Sequence, residues 1–271
     1  MSNTNHSFET GTDGNSSRRE RPTARSRRWS LLFAVLLGLV ALIFWAPWHQ
    51  PVPQGPSGAA LLDYVTVVTA PGIPDDEPLP MVVAFHGLGG SADRFLPAYA
   101  DLGFPARLVV PNAPEPYVVG RAWFPVENDP EFLAELDRTV ERVAALLEHL
   151  PTRWPTRGKP IVSGFSQGGI LSFSLAAKHP ELLSAAVPVA GGLPYASVED
   201  LPLDPTLPIR AFHGEADGRI SVRWGRWSVE TLRQEGADVT LETFPELGHK
   251  FESPMRERVF ETLRELAEAE P

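Results

Sequence analysis

The sequence predicts an α/β domain built on a mostly parallel central sheet. Three observations lead there. Short apolar runs alternate with amphipathic helical patterns, the order that produces parallel strands joined by crossover helices. Several of those runs are almost continuously apolar, as strands covered on both faces must be. A serine flanked by glycines stands where one such run gives way to a helix, at the strand end where sites form in sheets of this kind.

The strands expected are Tyr64–Thr69, Met81–Phe85, Arg107–Val110, Ile161–Gly164, Ala185–Val189, Ile209–Phe212 and Val239–Phe244. Between them, Glu131–Leu150 places Phe132, Leu136, Val140, Val143 and Leu147 on one helical face, behind an Asp129–Pro130 start signal. The stretch "GILSFSLAAKH" after the serine reads as a helix, and so do Ser221–Gln234 and Pro254–Glu268.

Composition narrows the function. Of 271 residues, 43 % are hydrophobic, enough for a buried core, and no repeat of solenoid or propeller period is present. The chain has no cysteine, which excludes disulfides, thiolate metal sites, a cysteine nucleophile and a lipobox-type lipid anchor. Net charge is −10, unevenly spread. Residues 1–30 carry six arginines against Glu9, Asp13 and Glu20, so the remainder is more acidic still. An acidic domain is a poor partner for nucleic acid, whose phosphates need a positive surface.

Residues 1–28 are polar and lack an apolar period, and are expected to form a disordered basic tail. From Trp29 to Trp48 the chain reads "WSLLFAVLLGLVALIFWAPW", with no charged residue. As a helix this run would reach roughly 30 Å, the thickness of a bilayer's hydrocarbon core. Tryptophans stand at both ends, and Arg25, Arg27 and Arg28 flank only the N-terminal side. A transmembrane signal-anchor over 29–48 is the expectation, with the N-terminus cytoplasmic and the catalytic domain extracytoplasmic. A cleaved signal peptide has the same layout and would release a secreted domain. It is normally shorter, and cleavage after Ala46 would put Phe44 where a small residue is needed. A buried core helix is the third reading, unusual beside an Arg-rich tail. Residues 49–58 form a Pro-rich, semi-rigid linker, and the catalytic domain is expected over 59–271.

The strongest chemical feature is Gly164-Phe165-Ser166-Gln167-Gly168. A serine on a sharp strand-to-helix turn needs small residues two positions either side, because the chain folds back on itself there. Its hydroxyl is a poor nucleophile until a base takes the proton. His86 and His213 occur as His-Gly at strand ends, and His149 and His179 near helix ends before proline. His249, in "PELGHKF", alone follows both the serine and a suitable acid. In "IRAFHGEADGRIS" the acid is Glu215 or Asp217, and Asp217 is favoured because Gly218 lets the loop turn. Asp217 would hold the His249 tautomer and stabilise the imidazolium that forms. The oxyanion needs two donors: the Gln167 N–H at the helix start, and the Leu88 N–H in the glycine run "FHGLGGS". A phosphate cradle is the weaker reading of that run, since no Gly-Lys-Ser/Thr follows.

With these residues in view, the chain resembles the phospholipase/carboxylesterase family of small α/β-hydrolases, which includes acyl-protein thioesterases. The matching pieces are "AFHGLGGS", "VVPNAPEPYVVGRAWFPV", "IVSGFSQGGILSFSLAAKHPE", "VAGGLP", "FHGEADGRISV" and "PELGHKF", collinear over nearly all of 61–271. The resemblance implies an α/β-hydrolase fold, a triad at Ser166, Asp217 and His249, and an oxyanion hole at Leu88 and Gln167. It implies a place near the substrate for Trp123. Family members are usually soluble and cytosolic, and the 29–48 segment departs from that pattern.

The expected reaction is hydrolysis of carboxylic esters or thioesters of short to medium acyl chains through an acyl-enzyme, with no metal or organic cofactor implied. Lipase or lysophospholipase, feruloyl or polyester esterase and peptidase activities are alternatives within the class, since fold does not fix substrate. An envelope-anchored binding module on a hydrolase scaffold is the non-enzymatic alternative.

Overall fold

The computed structural model describes residues 61–126, 130–196 and 198–269. The tail, the apolar segment and the linker expected over 1–58 lie outside the described residues, as does Asp129. Among the described residues, no helix is long and apolar enough to cross a membrane.

Seven strands form one sheet: β1 (Tyr64–Val68), β2 (Met81–Phe85), β3 (Arg107–Pro111), β6 (Ile161–Phe165), β7 (Ala185–Val189), β8 (Ile209–Gly214) and β9 (Val239–Phe244). Their order is β1-β3-β2-β6-β7-β8-β9. Only β1 runs antiparallel to its neighbour; the other pairings are parallel. This is the mostly parallel α/β sheet that the alternating pattern predicts, in the α/β-hydrolase arrangement that the resemblance implies. Residues of β2, β3 and β7 are buried throughout, which accounts for the apolar character of these strands, Arg107 at the start of β3 aside.

Helices cover both faces. On one side, α2 (Phe132–Arg153), α3 (Gln167–Lys178) and α4 (Val222–Gln234) share a core with the sheet, including Leu136, Val143, Phe173 and Val229. On the other, α1 (Ala92–Tyr99) and α5 (Met255–Ala269) close a second core through Tyr99, Val259 and Leu263. The five apolar residues expected on one face of α2 are all buried. Helix α3 is buried on nearly every side, and its Ser172 and Ser174 hydroxyls donate to carbonyls one turn back. That bonding lets hydroxyls sit in an apolar layer.

The strand order reverses direction between β2 and β6, the switch point where loops above the sheet diverge and a ligand can enter. Phe85, last in β2, pairs with Gly164 in β6. The register therefore sets His86-Gly87-Leu88 beside Phe165-Ser166-Gln167.

Two elements escape the sequence pattern: α1, and a two-stranded hairpin of β4 (Glu115–Tyr117) and β5 (Gly120–Ala122). Helix α2 also runs three residues beyond the expected Leu150, past Pro151. The split between buried and exposed faces of α2 has a direct test. Leu136→Ala should cost about 2–5 kcal/mol in equilibrium urea unfolding, because it empties a fully buried site. Leu133→Ala, on the exposed side of the same helix, should change stability by less than about 0.5 kcal/mol.

Candidate active site

Ser166 joins β6 to α3 at φ 61° and ψ −116°, a conformation that a residue with a Cβ rarely adopts. Such strain costs about 1–3 kcal/mol and persists only where the surroundings enforce it. Here backbone packs directly on backbone. A Cβ on Gly164 would lie 2.6 Å from the Gly168 backbone, and one on Gly168 would lie 2.1 Å from the Phe85 carbonyl oxygen. The Ser166 N–H donates to the Val189 carbonyl of β7 at 3.0 Å, fixing the turn from its other side.

The structure brings Ser166, His249 and Asp217 into one chain of hydrogen bonds. His249 Nε2 lies 2.9 Å from Ser166 Oγ, and His249 Nδ1 lies 2.7 Å from Asp217 Oδ2. A carboxylate oxygen accepts, so Nδ1 carries the proton and Nε2 presents its lone pair to the serine hydroxyl. Asp217 is itself held by its own loop: Oδ1 accepts from the Arg219 and Ile220 N–H groups at 2.8 and 2.9 Å. Glu215, the other candidate acid, is engaged elsewhere, with Arg226 and Thr243. The loop carrying His249 reaches back from β9 across the end of β8, where Leu247 O would lie 2.1 Å from a Cβ on Gly214. Phe165 backs the imidazole, with ring centroids 4.7 Å apart.

Leu88 and Gln167 border the same cavity as Ser166. Gln167 is the first residue of α3, where N–H groups lack an intrahelical acceptor and the helix dipole is positive. Among the described residues neither N–H has a protein acceptor. The Gln167 side chain does separate work. Its Oε1 accepts from the Trp123 N–H at 3.1 Å and its Nε2 donates to the Phe124 carbonyl at 2.7 Å, which ties the helix start to the 123–124 segment.

Trp123 is fully buried and is not among the residues that wall the cavity; it stands behind the Leu88 loop and the start of α3. Its indole N–H donates to the His86 carbonyl at 2.8 Å and its ring lies 5.1 Å from the His86 ring. It supports the Leu88 loop from behind. The cavity, about 660 Å³, is walled instead by Tyr117, Phe124, Phe132, Ile170, Ile220 and Trp224, among others. Tyr117, Phe124, Ile170 and Ile220 lie within the segments that carry the family resemblance, but the sequence assigned none of the six to the cavity wall, and Phe132 was read only as a helix-face residue.

Both His-Gly histidines are buried and held neutral. His86 Nδ1 donates to the Gly87 carbonyl at 2.8 Å, and Nε2 accepts the Ala113 N–H at 3.2 Å. Burial is the main cause that pushes its pKa down to about 4. His213 is lowered too, again chiefly by burial; its Nε2 donates to the Ile220 carbonyl at 2.9 Å and lies 3.4 Å from Asp217 Oδ2. In the unfolded chain a histidine titrates near pH 6.5. Between pH 6.5 and about 4 the unfolded state therefore binds the extra proton, and stability falls as pH drops through that window. The His86 share of the loss should approach roughly 3 kcal/mol at the acid end. Unfolding free energies measured across this range should fall less steeply in His86→Gln than in the native protein. Equal slopes would mean that His86 is not buried neutral.

Comparison with known proteins places the fold in a family. The phospholipase/carboxylesterase family profile matches residues 67–266. A rice (Oryza sativa subsp. japonica) protein named "probable inactive carboxylesterase" is 30 % identical over 195 residues, covering 63 % of this chain and 78 % of its own. A Dictyostelium discoideum protein named acyl-protein thioesterase 1 homolog 1 is 24 % identical over 185 residues, covering 62 % and 82 %. Among solved structures, that of esterase PE8 superposes with a TM-score of 0.65 at 22 % identity, covering 76 % of this chain and 99 % of that one. The chain belongs to the phospholipase/carboxylesterase family of α/β-hydrolases.

Proposed function

We propose that the protein is a serine hydrolase that cleaves carboxylic esters or thioesters through an acyl-enzyme. The observation that carries this reading is the unbroken relay from Ser166 Oγ through His249 to Asp217. As Ser166 Oγ attacks the substrate carbonyl carbon, its proton passes to His249 Nε2. Asp217 stabilises the imidazolium, and the Leu88 and Gln167 N–H groups receive the oxyanion. The tetrahedral intermediate collapses as His249 gives its proton to the leaving group. Water then attacks the acyl-enzyme by the same steps, with His249 as base. The cavity volume of about 660 Å³ and the apolar wall that Phe124, Phe132, Ile170 and Trp224 contribute to it support a substrate with a short to medium acyl chain. The thioesterase name of the Dictyostelium relative keeps thioesters in the substrate class.

A non-catalytic role on this scaffold is the second reading, and the rice relative named as inactive favours considering it. Fluorophosphonate labelling separates the two. The protein should label at Ser166, and Ser166→Ala should not label. Ser166→Ala and His249→Ala should each lower kcat on 4-nitrophenyl esters by several orders of magnitude while circular dichroism stays native. If Ser166→Ala kept more than about a tenth of native activity, the nucleophile would lie elsewhere.

The segment 29–48 completes the proposal as a membrane anchor with the hydrolase domain outside the cytoplasm. Its uncharged run, terminal tryptophans and one-sided arginine flank support this. The full-length protein should fractionate with membranes and resist carbonate extraction, and protease added to spheroplasts should digest the hydrolase domain. A mature N-terminus beginning after Ala46 would instead make it a secreted enzyme.

A further inference from the structure

We infer that Arg219 makes this site selective for esters that carry an anionic group, a carboxylate or a phosphate, near the scissile bond. The inference rests on the hydrolase reading above and adds a substrate class to it. Among the described residues that border the cavity, Arg219 is the one permanently charged side chain; the rest are apolar or neutral, His249 aside. Its root is fixed by the catalytic loop. The Arg219 N–H donates to Asp217 Oδ1, so its Cα sits two residues from the acid that aligns His249. The guanidinium has no carboxylate or carbonyl partner among the described residues, whereas Arg226 on the following helix is occupied by Glu215. Its five N–H donors are therefore available to a ligand, in the fork geometry that suits carboxylate and phosphate oxygens.

Charge makes this placement informative. The chain has 34 acidic and 24 basic residues, so an unpaired cation at the cavity edge stands against an acidic background that would otherwise repel an anion. Phe132, Ile170, Ile220 and Trp224 supply apolar wall in the same cavity. A substrate with an apolar body and one anionic end matches both. Contact with the apolar wall partly desolvates the anion and strengthens its pairing with Arg219.

The test compares kcat/KM within two substrate pairs, using the full-length protein in detergent. The first pair is 4-nitrophenyl hexanoate and the 4-nitrophenyl monoester of adipic acid, which puts the anion in the acyl part. The second is phenyl hexanoate and the hexanoate ester of 3-hydroxybenzoic acid, which puts it in the leaving group. Arg219→Gln should lower the anionic-to-neutral ratio in at least one pair about tenfold, mainly through KM, the size of one charge-assisted hydrogen bond. The pair that responds identifies the side Arg219 serves. Arg219→Lys should keep most of the ratio, Arg219→Glu should depress it further, and raising salt to 1 M should compress it. Arg223→Gln makes the same charge change outside the cavity and should leave both ratios as they are. The inference is overturned if Arg219→Gln moves neither ratio, or if Arg223→Gln moves them equally. Ser166→Ala keeps the two proposals apart: if it still hydrolyses the neutral hexanoate, the serine hydrolase reading fails whatever Arg219 does.

Discussion

Ser166 holds a backbone conformation that L residues avoid, and it can do so because backbone lies against backbone around it. Gly168 packs on the Phe85 carbonyl, Gly164 on Gly168, and Gly169 on the Val189 carbonyl, each with room for a hydrogen and none for a methyl group. The turn is thus wedged between β2 and β7, and its geometry is inherited from the sheet. The same contact that strains the serine brings the Leu88 loop alongside the start of α3. The Ser166 hydroxyl and the Leu88 and Gln167 residues proposed to receive an oxyanion are thus spaced by strand register.

The loops that carry the other groups are secured by neutral histidines at matching places. His86 closes the end of β2 by bonding Gly87 and Ala113, and His213 closes the end of β8 by bonding the Ile220 carbonyl. Each uses one ring N–H within a few residues of its own position, and each is desolvated enough to stay uncharged. An imidazole suits the task because it offers a donor and an acceptor on a rigid ring. A charged side chain in either place would carry the cost of burial. Trp123 completes the support on the β2 side from the far wall, linked at once to His86 and to Gln167.

What was legible in the sequence follows from what is local. Parallel strands buried on both faces announce themselves as apolar runs, so β2 and β7 were read to the residue, and the edge strand β9 was read from its alternation of β-branched, aromatic and polar residues. The serine turn was readable because its glycines answer a steric need within five residues. The order of Ser166, Asp217 and His249 was readable because each follows its own strand. The hairpin was not readable: its β4 residues are exposed, so it has no alternating apolar face. It is held from a distance, by Arg94 bonding the Gly89 and Val119 carbonyls and Arg121 bonding those of Ala113 and Pro114. Helix α1 spans eight residues and contains Pro97, too short and too interrupted for a periodicity to register. The contacts of Trp123 were out of reach for a related reason. Its motif fixed its neighbourhood, but whether an indole faces a cavity or backs a loop depends on partners that lie more than thirty residues away.

The packing around Ser166 and the proposed reaction rest on different atoms. The packing at the elbow depends on glycines and main chain, and would survive exchange of the Ser166 hydroxyl or the His249 ring. Asp217 is the exception. Its Oδ1 satisfies two N–H groups of its own loop while its Oδ2 serves His249, so one carboxylate shapes the loop and aligns the base. The Arg219 N–H is one of those two donors, which makes the placement of that side chain a consequence of the acid's own hydrogen bonding. The carboxylate that bonds His249 thereby also fixes where the one permanently charged side chain among the described cavity residues begins, so the placement of His249 and that of Arg219 depend on the same group.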